Sequence, residues 1–185
     1  TIIPSRLSAT RLPSKPLLKI NNISIISHVF KRAEEANIGD VVVAAEDQEI
    51  VDDVVKNGGR AILTSRNHKT GTDRIYEAFK KLEVNDVDLI MNLQGDEPAI
   101  DINDIINLNK KMGINQSTMG TLAAKMKDLK ELDNENIVKV ITNDNLNNDK
   151  FSIAKNFLRK SSEVANIYHH IGIYCYSTQT LKKFV

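Results

Sequence analysis

Short apolar runs alternate with amphipathic stretches over the first 112 residues, and this rhythm constrains the fold more than any other feature. Val41-Val42-Val43-Ala44-Ala45 is a continuous apolar run, the pattern of a strand buried on both faces. Ile2-Ile3, Arg60–Thr64 and Val87–Leu93 are further short runs of strand type. Between them lie helical patterns. Ser24 precedes Ile25-Ile26, Val29-Phe30, Ala33 and Ala36, spaced as one apolar face, and Gly39-Asp40 ends the stretch. Ile50–Lys56 stops at Gly58-Gly59, and Gly71–Leu82 and Asp101–Lys111 complete the series. Lys19–Asn22 reads as a turn. Strand and helix in alternation predict parallel βαβ units with helices on both faces of a sheet. Beyond Gly113 the rhythm changes: Ser117–Met126, Ile137–Thr142 and Tyr168–Tyr176 predict strands around polar stretches at 127–135 and 143–150. The expectation is an α/β fold with a mixed, mainly parallel sheet. With 185 residues and neither a repeat nor a low-complexity linker, residues 1–185 are expected to form a single domain. The chain starts at Thr1, inside a strand pattern, and ends at Val185, inside a helical one, so the domain is expected to be truncated at both ends.

In an open parallel sheet, ligands bind beyond the carboxyl ends of the strands. Three motifs fall there. The first is the loop after Ile2-Ile3, which carries Arg6, Arg11 and Lys15, no acid, and the stiffening Pro4, Pro13 and Pro16. Net charge is only +1, so any basic function is local. Three cations without an acid call for an anion, and a polyphosphate suits them: Arg offers a planar fork to phosphate oxygens, Lys a point charge. Neither glycine-rich fingerprint for phosphate is present, so side chains must do the neutralising. A solvated loop with idle cations is the plainer reading.

The second motif is Gln94-Gly95-Asp96-Glu97-Pro98, after an apolar strand. A carboxylate at a strand end can hold a divalent cation against substrate phosphates, which makes Asp96 a metal candidate; a simple turn aspartate is the alternative. The third is His68–Arg74, HKTGTDR, where Gly71 and Thr72 at a helix start offer backbone N–H groups to an anion or a base edge, or merely cap a helix. Further on, His170, Gly172, Tyr174 and Tyr176 share one face of a strand. A histidine with a tyrosine four residues on can bind a hydroxylated or carboxylated substrate, although such a histidine is often structural.

IPSRLSATRLPSKPL, HKTGTDR, NLQGDEP and HHIGIYCY, in that order and over nearly the whole chain, resemble the 3-deoxy-manno-octulosonate (Kdo) cytidylyltransferase family. The resemblance implies a Rossmann-like nucleotidyltransferase three-layer sandwich, a cytoplasmic homodimer, Mg²⁺ as cofactor, and CTP and Kdo as substrates. CMP would pass to the anomeric hydroxyl of Kdo, giving CMP-Kdo and pyrophosphate for lipopolysaccharide assembly. Carried over by motif, Arg6, Arg11 and Lys15 match the triphosphate loop and, with Asp96, the catalytic set. Gly71, Thr72 and Arg74 match the motif near the nucleotide; Asp96 matches the metal ligand. Gln94, His170 and Tyr174 match sugar contacts. The family's Phe-Ser-Arg stretch is altered: Phe151-Ser152 lacks the arginine, and Arg159 in AKNFLR is the matching cation. The resemblance also implies a further metal carboxylate, which is expected beyond Val185.

Other classes fit less well. Cys175 is the only cysteine, which excludes an internal disulfide and a thiolate zinc cluster. No apolar run approaches the ~20 residues of a membrane span. Aromatic residues are 5% and form no stacking platform, which argues against RNA. Two neighbouring functions remain open: cytidylyl transfer to another acidic sugar, of the 8-amino-Kdo or sialic acid type, and nucleotide binding without catalysis.

Overall fold

The computed structural model describes residues 1–8, 12–146, 151–162 and 165–185. In chain order the elements are β1 (Ile2–Ser5), β2 (Lys19–Ile20), β3 (Ile23–Ser24), α1 (Ile25–Glu35), β4 (Val42–Ala45), α2 (Gln48–Lys56), β5 (Ala61–Leu63), α3 (Gly71–Lys81), β6 (Leu89–Asn92), α4 (Ile102–Ile114), β7 (Met119–Ala124), β8 (Lys139–Thr142), β9 (Ala154–Leu158), β10 (Ile167–Ser177) and α5 (Thr178–Phe184). They pack as two compact units: Thr1–Gly120 with Ile173–Val185, and Thr121–Gly172.

The first unit carries the predicted βαβ architecture. Its strands run in the order β5-β4-β1-β6, followed by the end of β10. β1, β4, β5 and β6 are parallel, and β10 is antiparallel to β6, with Tyr174 opposite Asn92 and Tyr176 opposite Ile90. The sheet is therefore mixed and mainly parallel. Alternation along β1 explains how it is covered. Ile2 joins Val42, Ala44, Ile75, Ala78, Ile90, Tyr176 and Leu181 in a core under α3 and α5. Ile3 points the other way and is fully buried, as are Val43 and, on α1, Ile26, Val29 and Ala33. Burying each such large aliphatic side chain stabilises the fold by roughly 1.5–3 kcal/mol. Helix α1 starts where Ser24 accepts the Ser27 N–H, as the cap pattern predicts.

In the second unit β8 pairs antiparallel with residues 167–169 of β10 on one side and with β9 on the other. Leu132, Ile141 and Ile167 form its small core, with Met126 and Leu158 against it. Lys139 is fully buried, and its Nζ donates to the carbonyls of Asn134 (2.6 Å), Ile137 (2.9 Å) and Arg159 (2.8 Å). All three ammonium protons are thereby used, which is what lets a lysine remain inside.

Two elements depart from the expectation. Lys19–Asn22 is not a bare turn but half of a hairpin: β2 and β3 pair antiparallel around Asn21 and Asn22. Both asparagines have positive φ, 50° and 67°, the requirement of the tight hairpin turn that matches strand twist. β9 was not foreseen because it is an outer strand whose residues 154–157 are exposed, so no apolar alternation marks it.

Candidate active site

The carboxyl ends of β1 and β6 and the loop entering α3 meet at one pocket of about 360 Å³. Each wall is fixed by local chemistry. After Ser5 the chain leaves the sheet; Asp47, just past β4, accepts the Leu7 N–H at 3.0 Å, and Ser8 Oγ lies 3.4 Å from Glu46 Oε1. The Ser14 N–H reaches back to the Leu7 carbonyl at 3.3 Å. Pro16 is buried in a short 3-10 turn over Lys15–Leu17, and this turn presents Lys15. The acids absent from the basic loop itself are thus supplied by the exit of β4.

Past β6, Leu93 is fully buried and Gly95 crosses the end of β1. A Cβ at Gly95 would stand 3.0 Å from both the Pro4 carbonyl oxygen and Ile26 Cδ1, so glycine is what permits the crossing. The crossing brings Asp96 to Lys15, whose Nζ donates to Oδ2 at 2.8 Å. Both side chains remain solvent-accessible, at 35% and 49%. The third wall starts at Thr70, which forms a capping box with Asp73 and opens α3 at Gly71.

Arg6, Lys15, Gly71, Arg74, Gln94 and Asp96 all line this pocket. Arg11 lies outside the described residues. Arg74 is almost wholly buried, and its guanidinium is engaged: it donates to Glu46 at 2.5 Å, Thr64 Oγ1 at 2.6 Å and the Ser65 carbonyl at 3.0 Å. Arg74 thereby locks the exits of β4 and β5 to α3. Thr72, two residues before it, and Asn92 both act to lower the Tyr176 phenol pKa. Burial dominates at Tyr176 and pushes its phenol up.

Of the remaining expected residues, Tyr174 belongs to the first unit, where it stacks on Tyr176 with ring centroids 6.0 Å apart. Burial, with Tyr176 adding, raises its phenol. Arg159 and His170 belong to the second unit. Arg159 donates to the Glu135 carbonyl at 3.1 Å. His170 Nε2 is 3.0 Å from Thr121 Oγ1, and its ring meets Phe157 edge-on at 5.0 Å. Burial, reinforced by His169, pushes the His170 imidazole below its usual range.

Glu46, Asp47 and Glu77 shape the pocket although no motif singled them out. Glu46 and Asp47 follow an apolar strand just as Asp96 nearly does, and that position was their only signal.

Asp96 is the one acid lining the pocket among the described residues, and no group of three potential metal ligands gathers among them. A half-exposed carboxylate at the pocket mouth suits a Mg²⁺ ion that takes its other ligands from nucleotide phosphates and water, not an all-protein cage.

A mainly parallel α/β sheet with a basic pocket of nucleotide size at its carboxyl ends is the design of a nucleotide-handling enzyme. Comparison with known proteins gives the particular family. The cytidylyltransferase family model matches residues 1–185. A 3-deoxy-manno-octulosonate cytidylyltransferase from Rhodopseudomonas palustris (strain BisB18) is 40% identical over all of this chain and 76% of its own length. One from Photorhabdus laumondii subsp. laumondii is 36% identical over all of this chain and 77% of its own. Among solved structures, CMP:2-keto-3-deoxy-manno-octonic acid synthetase complexed with CTP superposes with a TM-score of 0.86 at 34% identity, covering 99% of this chain and 75% of that one. The chain belongs to the cytidylyltransferase family, and within it to the 3-deoxy-manno-octulosonate cytidylyltransferases.

Proposed function

We propose that the protein transfers CMP from CTP to the anomeric hydroxyl of Kdo, releasing pyrophosphate and supplying CMP-Kdo for lipopolysaccharide assembly. The gathering of Arg6, Lys15 and Asp96 at one pocket supports this most directly. Arg6 and Lys15, with Arg11, bind the triphosphate and offset the charge that grows on the leaving pyrophosphate. Donors of this kind are worth about 10²–10³ each in turnover. Gly71 and Thr72 bound the nucleotide at the start of α3, and Arg74 acts by holding that wall in place. Gln94 and Tyr174, both in the first unit, serve the sugar. The Kdo hydroxyl loses its proton to solvent and attacks the α-phosphorus in line as the bond to the β-phosphate oxygen breaks and pyrophosphate leaves. Much of the acceleration comes from holding the two substrates together. Asp96 holds Mg²⁺, which when bound offsets phosphate charge. We further propose that the protein acts as a homodimer in the cytoplasm; among the described residues no helix is long and apolar enough to cross a membrane.

The reading is tested by pyrophosphate release with CTP and Mg²⁺ against a panel of sugars. Release with Kdo well above that with 8-amino-Kdo or a sialic acid is expected. CTP binding without release on any sugar would replace the enzyme with a nucleotide-binding protein.

A further inference from the structure

The loop 65–70 forms the pocket wall before α3, and one carboxylate on the helix holds it. Glu77 lies on α3 beyond Gly71, facing back along the loop. It accepts the Ser65 N–H at 2.9 Å, the ring Nε2 of His68, and the Lys81 Nζ at 2.8 Å. Burial alone would raise the Glu77 carboxyl, but the donors from Lys81, His68 and Ser65 outweigh it and hold it at about 2. Glu77 is therefore an anion at any working pH. A carboxylate only accepts, so His68 Nε2 carries its proton and the ring plane is set from the helix.

Both ends of the loop have their own anchors. The Ser65 carbonyl takes Arg74, Arg66 reaches Asp47, and Thr70 is fixed by the capping box with Asp73. These anchors would hold the loop's path without His68. Yet the His68 side chain is about four-fifths buried, lines the pocket with Arg6 and Lys15, and is tied to a separate helical residue. Glu77 itself is not among the lining residues; with three donors converging on it, it aims the imidazole from behind the wall.

We infer that His68 is a further nucleotide-contacting residue of the pocket and that Glu77 is its positioning residue, an assignment that rests on the CTP reading given above. His68 meets the phosphate or ribose of CTP. Glu77 touches no substrate and acts through His68.

The test compares the wild type with His68→Gln, Glu77→Gln and the double variant, using steady-state kinetics with CTP and Kdo varied separately. Each single variant is expected to raise KM for CTP about 10-fold, with kcat within about 3-fold and KM for Kdo unchanged. The double variant should be no worse than His68→Gln alone, because the two residues act as one unit. A merely structural pair would instead lower thermal stability and leave KM for CTP unmoved, which overturns the inference; additive effects of the two substitutions overturn the positioning role. If the wild type itself neither binds nor turns over CTP, the CTP reading fails first, and the kinetic comparison shows which of the two has failed.

Discussion

Asp96 and Lys15 form an exposed ion pair, and such a pair contributes little to stability, roughly 0–1 kcal/mol. Its meaning is functional: two side chains suited to a cation and to a phosphate are set at one point by Gly95. Asp96→Asn keeps the shape and removes the charge. It is expected to cut turnover about 100-fold or more while changing CTP affinity far less, read by single-turnover kinetics beside equilibrium binding. Unchanged pyrophosphate release would remove Asp96 from the metal site. His170 offers a pH test. Its folded-state pKa lies below the unfolded value of ~6.5, so the unfolded chain binds more protons as pH falls. Its contribution to stability is full above pH ~6.5 and erodes below it. Urea unfolding at pH 7.5 and 5.5 should show a smaller pH-dependent loss in His170→Asn than in the wild type, and NMR should place the His170 midpoint below ~6.5. An equal loss in both proteins would show that His170 is not desolvated as described.

Among the elements, the βαβ half was legible because its strands are buried on both faces, and burial writes itself as apolar runs such as Val41–Ala45. The antiparallel half was legible only where a strand is buried, as at Lys139–Thr142; the outward-facing β9 left no pattern. The site divides in the same way. Arg6, Lys15, Gln94 and Asp96, which line the pocket, follow strand ends, and a strand end is visible in a sequence. The task of Arg74 could not be found, because its partner Glu46 is 28 residues away, with α2 and β5 between them, and no local spacing records a contact of that kind. The ion pair is nearly sealed from water, with side-chain exposures of 4% and 11%. Arg74→Ala would leave Glu46 buried without a counter-charge, a loss of about 3–5 kcal/mol. It should also disorder the wall that α3 presents to the nucleotide. Chemical denaturation measures the first effect and KM for CTP the second. A loss below about 1 kcal/mol would mean that the pair does not tie β4, β5 and α3 together.

For the molecule as a whole, an open, mainly parallel sheet places a ligand site at its strand ends, and the cations Arg6 and Lys15 in the pocket there suit a polyphosphate. The cytidylyltransferase family membership supplies the base. The choice of Kdo rests on relatives at 36–40% identity and on side chains such as Gln94 and Tyr174. Legibility followed the same gradient: the reaction class was written in the first loop and NLQGDEP, and the acceptor came only with the resemblance. If the protein acts as a homodimer, sedimentation equilibrium should return twice the chain mass, and a monomeric mass at assay concentration would contradict that. The central claim is cytidylyl transfer at this pocket, and label transfer tests it most directly. With α-³²P-labelled CTP, Kdo and Mg²⁺, the label should appear in a sugar nucleotide, while label at the γ position leaves as pyrophosphate. Label recovered as free CMP, or retained in CTP while the protein still binds the nucleotide, would contradict the account.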